Sequence, residues 1–142
     1  MDSRIEEGAR ELNRAVRERY RDSETRDRAA RIAVYSVSVA YQLGCDEEEQ
    51  LRVRALAETL PDLEETWNGM GPQGSVGSRI PLPDRIVAMA TWFDDQAMNG
   101  HRLETEVLNE LHLLGGSRFD PLVVAAFQTV QPLLQPTGIN VG

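Results

Sequence analysis

Ile32-Ala33-Val34-Tyr35-Ser36-Val37-Ser38-Val39-Ala40-Tyr41 is the stretch on which the fold class turns. Its β-branched valines and isoleucine suit a strand. Its surroundings favour a helix. Strong helix formers flank it, and Gly44 follows where a helix would need a left-handed stop. Asp22-Ser23 upstream offers a cap, so a helix is expected from there to Leu43. Ser36 and Ser38 are small enough to let a neighbouring helix come close.

Working outward, every other ordered segment also reads as helix. Ile5, Ala9, Leu12, Val16 and Tyr20 recur at spacings of three and four, an apolar stripe on a charged rod over about residues 2–21. Asp46-Glu47-Glu48-Glu49 opens a helix with a capping box and acids at the positive end of the dipole, and Pro61 closes it. Pro83-Asp84 opens another, expected to reach about Met98 before Gly100. Leu103 to Leu114 follows, stopped by Gly115-Gly116. Asp120-Pro121 starts the last, which Pro132 and Pro136 are expected to end. Between Asp62 and Leu82 lies a glycine- and proline-rich segment in which Trp67, Met70, Val76 and Ile80 supply packing of its own. The expected class is all-α, a compact helical bundle: an amphipathic helix over 1–22, a helical domain over 23–134 and a flexible tail over 135–142.

Composition limits the function. The 142 residues fit one domain, and 41% hydrophobic with 27% charged residues allows a packed core. No apolar run is long enough for a membrane span, and Met1 to Glu7 lacks a signal core, so a bacterial-style cytoplasmic protein is expected. All 15 basic residues are arginine, and 23 acids leave a net charge of −8, a poor balance for nucleic-acid binding. Without lysine there is no Schiff base and no P-loop cation. Cys45 is a lone cysteine, so no intrachain disulfide or CxxC metal site is available. His101 and His112 match no zincin spacing. Asp94 and Asp95 are adjacent on a helix and point about 100° apart, so they share a site poorly, and one is expected to cap or to pair with an arginine. In Gly69-Met70-Gly71-Pro72-Gln73-Gly74, Pro72 removes an amide that a phosphate cradle would use.

That glycine segment with its flanks carries a family resemblance. Glu65-Thr66-Trp67-Asn68-Gly69-Met70-Gly71-Pro72-Gln73-Gly74, Gly77, and Ile80-Pro81-Leu82-Pro83-Asp84-Arg85-Ile86 resemble the signature HHE-x-W-(D/N)-G-x-G-Y-P-x-G followed by I-P-L-x-x-R-I. Phe93-Asp94 and Gly116-Ser117-Arg118-Phe119-Asp120-Pro121 are similar to two later motifs, and Arg28 to Tyr35 to the opening helix. The family is HD-GYP, helical metal-dependent phosphodiesterases of cyclic di-GMP. The resemblance covers Arg28 to about Gln131 and implies a shortened domain of that type, with the N-terminal amphipathic helix as an addition.

The departures fall on the chemical residues. Arg28 stands where the resemblance implies a metal-binding histidine, Glu58-Thr59-Leu60-Pro61 where it implies the His-Asp dyad, Leu63-Glu64 for the paired histidines, and Thr91 for a metal aspartate. Gly71-Pro72 lacks the tyrosine, and of the ligand set Glu65 remains. One carboxylate does not hold a binuclear centre. No catalytic residue, metal ligand or cofactor is therefore assigned. The leading expectation is a non-catalytic regulatory or protein-interaction module in bacterial signalling. The first alternative is a phosphodiesterase rebuilt on Glu65, Asp94, Asp95 and His101. The second is a cyclic-dinucleotide sensor using Arg79, Arg85 or Arg118, although an ion pair with a nearby helix carboxylate is preferred for Arg85.

Contacts with protein are expected at two places. The Leu12, Val16 and Tyr20 stripe is expected to mediate self-association or partner docking, with packing on the chain's own bundle as the close alternative. The helices missing relative to the family would leave an apolar face near Leu56, Leu60, Leu63, Trp67 and Met70, which a symmetric homodimer covers most simply.

Overall fold

A computed structural model describes residues 3–19 and 22–134. These form six α-helices and no strand. They are α1 (Arg4–Arg17), α2 (Ser23–Gln42), α3 (Glu47–Glu58), α4 (Leu82–Asp94), α5 (Glu104–Leu114) and α6 (Pro121–Leu134). None is long and apolar enough to cross a membrane.

The deciding stretch is helical, and it is the axis of the bundle. Residues 29–36 and 38–40 of α2 are buried, because α1, α3, α4 and α6 surround it. A helix apolar on every face is stable only when covered on every face. Its ends are set locally. Asp22 accepts the Thr25 N–H at 2.7 Å. At the other end Gly44, with φ +86°, turns the chain. The Cys45 N–H then donates to Ala40 O and the Gly44 N–H to Tyr41 O, both at 3.0 Å, a Schellman stop. Asp46 and Glu49 form the expected capping box of α3.

Tyr35, Phe93 and Phe127 meet edge to face at the centre, with ring centroids 4.8–5.6 Å apart. The α1 stripe joins the same core: Ile5, Ala9, Leu12 and Val16 are buried on α2 and α6. Leu12 and Val16, expected as interaction residues, are instead buried within the chain, because α2 and α6 cover the stripe, and Tyr20 lies outside the described residues. The tail over 135–142 also lies outside them.

Two elements depart from the expected pattern. Beyond Asp94 the α-helix gives way to a π-turn over Asp95–Asn99. Gly100 ends it, and a Cβ there would lie 2.6 Å from Gln96 O. α6 does not stop at Pro132 but runs through it to Leu134, which is buried. A proline in a last turn breaks few hydrogen bonds, and burial of Leu134 favours one more turn.

Candidate functional site

The segment between α3 and α4 is tied down by polar bonds. The Glu65 carboxylate accepts the Gln73 N–H at 2.7 Å and the Ser75 N–H at 3.2 Å, closing the glycine loop on itself. Gly71 passes so near this carboxylate's backbone that a Cβ would lie 2.6 Å from Glu65 Cα. The Trp67 and Asn68 N–H groups donate to Arg118 O (2.9 Å) and Ser117 O (2.8 Å), docking the loop on the α5–α6 turn. The Trp67 ring lies against Gly77 on one side and 5.8 Å from the Arg85 guanidinium. Arg85 also donates to Ile80 O at 2.8 Å and to Asp120 Oδ2 at 2.7 Å. The other oxygen of Asp120 caps α6 through the Leu122 N–H at 2.9 Å. Arg85 is thus paired with a carboxylate, as expected, though it is the cap residue before α6 rather than one on a helix.

This loop roofs two neighbouring clefts, of about 340 and 390 Å³. Glu65, Trp67, Arg85 and Asp120 line the first. Arg28, Leu60, Thr91, Asp95 and Gln96 line the second. Asp62, Leu63, Ala88 and Arg118 belong to both. The Arg118 guanidinium lies 5.3 Å from the Phe119 ring centroid and makes no ion pair among the described residues. The Thr91 hydroxyl is buried and has no hydrogen-bond partner among them.

Behind the second cleft, α2 and α4 are joined by arginine–aspartate pairs. Arg31 Nε and Nη2 reach Asp94 Oδ1 and Oδ2 at 2.5 and 3.2 Å, a bidentate pair between buried side chains. Burial pushes the Asp94 carboxyl above its ordinary value, and Arg31 holds it back. One residue on, Asp95 faces the cleft, with Arg28 Nη2 3.5 Å from its Oδ1. Both carboxylates, not one, are therefore met by arginine. Among the described residues no group of three or more His, Cys, Asp or Glu could hold a metal ion.

The expected interaction residues are only partly gathered. Leu60 and Leu63 line the second cleft, and Leu63 and Trp67 the first. Leu56, Leu60 and Leu63 are half-buried against the core. Leu60 has a left-handed backbone, φ +50°. Met70 lines neither cleft and is 80% exposed. The carboxylates of the rebuilt-enzyme alternative do not converge on one point. Glu65 latches the loop, Asp94 is in the core and Asp95 is in the second cleft. His101 is exposed with φ +51° and lines neither cleft. Sequence reasoning missed Arg31 and the place of Thr91. The spacing of Arg28 and Arg31, one turn apart on α2, was the available signal for a paired contact with Asp94-Asp95. No family model matches the chain, and no curated protein matches it.

Proposed function

We propose that this chain is a non-catalytic interaction module, a shortened scaffold of the HD-GYP type that acts through protein contacts in the cytoplasm of a bacterium. The observation that carries the reading is the pairing of Asp94, at the end of α4, and Asp95, just beyond it, with guanidinium groups of α2. Arg28, at the position the resemblance gives to a metal-binding histidine, supplies a fixed positive charge and no lone pair. Glu65, the remaining carboxylate of the resemblance, spends both oxygens on loop amides. The scaffold residues support the same reading, since Trp67, Gly71 and Asp120 all shape the loop and its seat. Dialysed protein should retain no stoichiometric manganese, iron or zinc, and should not turn over cyclic di-GMP when manganese or iron is added. About one metal per chain after dialysis, with turnover lost in Glu65→Ala, would overturn the proposal.

A sensor without hydrolysis is the second reading, and Arg118 favours it. It is the arginine shared by both clefts, and it holds no carboxylate among the described residues. A melting-temperature rise with cyclic di-GMP that disappears in Arg118→Ala would select this reading over the first.

A further inference from the structure

α1 and α3 both lie on α2, and their C-terminal ends are tied where Arg19 Nη1 meets Glu58 Oε2 at 2.6 Å. Toward their N-termini a groove of about 480 Å³ lies between them. Val37, Ser38 and Tyr41 of α2 form its floor, with Ile5 and Leu12 on one wall. On the opposite lip stands Leu51, 62% exposed. Gly8 lies on the α1 side, and a Cβ there would meet nothing within 4 Å. A glycine inside an exposed helix is unfavourable. Here it keeps the groove open.

The charges on the lips are arranged in a way that selects an occupant. The short links at opposite ends of α2 make α1 and α3 run the same way along it. Arg4 and Glu11 lie on the α1 lip, and Glu47 and Arg54 on the α3 lip. Each pair is seven residues apart, about two helical turns, and the order of sign is reversed between the lips. A two-fold axis along the groove would set α1 of one copy over α3 of the other. Arg4 would then face Glu47 of the other copy, and Glu11 its Arg54. The same face also carries both a protruding leucine and an apolar groove to receive it, which is what an isologous contact requires.

We propose that the α1–α3 groove is a self-association surface whose occupant is a second copy of this chain, each Leu51 entering the other's groove. This surface is separate from the clefts beneath the glycine loop and does not rest on the proposed pseudoenzyme reading.

The test is the mass of the full chain by light scattering and sedimentation up to about 100 µM, where a micromolar dimer is populated. Wild type should dimerise. Leu51→Arg should raise the dissociation constant about tenfold or more, with helix content unchanged. Gly8→Leu fills the groove and should weaken the dimer equally, without lowering the melting temperature. A Glu11→Arg/Glu47→Arg chain and an Arg4→Glu/Arg54→Glu chain should each be monomeric alone and form a heterodimer when mixed. A wild-type monomer throughout would overturn the proposal. So would a dimer that Leu51→Arg, Gly8→Leu and the charge reversals leave intact.

Discussion

α2 buries side chains on every face, whereas in the segment over 61–81 Ile80 is the one buried side chain. The helix holds its place by volume and area, the loop by particular hydrogen bonds. Glu65 to Gln73 and Ser75, and Trp67 and Asn68 to the α5–α6 turn, do for the loop what four packed helices do for α2. Apolar packing is spread over many contacts and opens only with the whole domain. A loop latched by a few polar groups opens locally, at a cost set by those groups. The clefts therefore combine a floor fixed by the bundle with a roof fixed by a few polar bonds.

The contrast is broken most strongly where the core itself is polar. Asp94→Ala leaves Arg31 buried without its carboxylate and should destabilise the domain by about 3–5 kcal/mol in urea unfolding. Replacing both members, Arg31→Met with Asp94→Leu, should recover most of that loss. A single variant that unfolds like wild type would show the pair to be solvated.

Glu65→Ala sharpens the contrast. It removes the acceptor of two loop amides and should cost about 1–3 kcal/mol. Hydrogen exchange distinguishes local from global opening: the Gln73 and Ser75 amides should exchange much faster, while α2 amides keep their protection relative to global stability. Uniform acceleration in both regions would mean that the loop and the core unfold as one unit.

The smallest effect lies at an exposed cap. The Thr25 side chain and backbone N–H hold the Asp22 carboxyl below its ordinary value of 3.8. A carboxyl lowered by folding stabilises the folded state above the unfolded value, and that contribution is lost as pH falls through the folded one. Asp22→Asn keeps an acceptor at the cap but does not titrate. The gap in melting temperature between wild type and variant should therefore shrink between roughly pH 5 and pH 2. A gap independent of pH would show that the charge at this helix start contributes nothing.

Helix boundaries were legible because their causes are local. Asp22, Asp46 and Asp120 each bond an amide two or three residues onward, and Gly44 reverses the chain within its own turn. Arg85's ionic partner was legible only as a carboxylate; that it is the cap residue Asp120, 35 residues on, was not. The π-turn after Asp94 was not, because Asp95 and Gln96 in it have ordinary helical character and Gly100 reads only as a stop. The passage of α6 through Pro132 was hidden for a related reason: burial of Leu134 overrides a local breaker.

The sequence by itself determined the all-helical class, its caps and stops, and a turn-rich segment held at Trp67 and Ile80, whereas Met70 and Val76, expected to pack there, are exposed. Only the tertiary structure decided that the α1 stripe faces α2, since an apolar stripe serves a partner or its own bundle equally well. It also decided which charges meet. Arg31 and Asp94 are 63 residues apart, and Arg85 and Asp120 are 35. Periodicity reports the face a residue occupies on its own helix. Which face of another helix it meets is settled only when the whole core closes, because only then does burial bring Arg31 to Asp94 and Arg85 to Asp120.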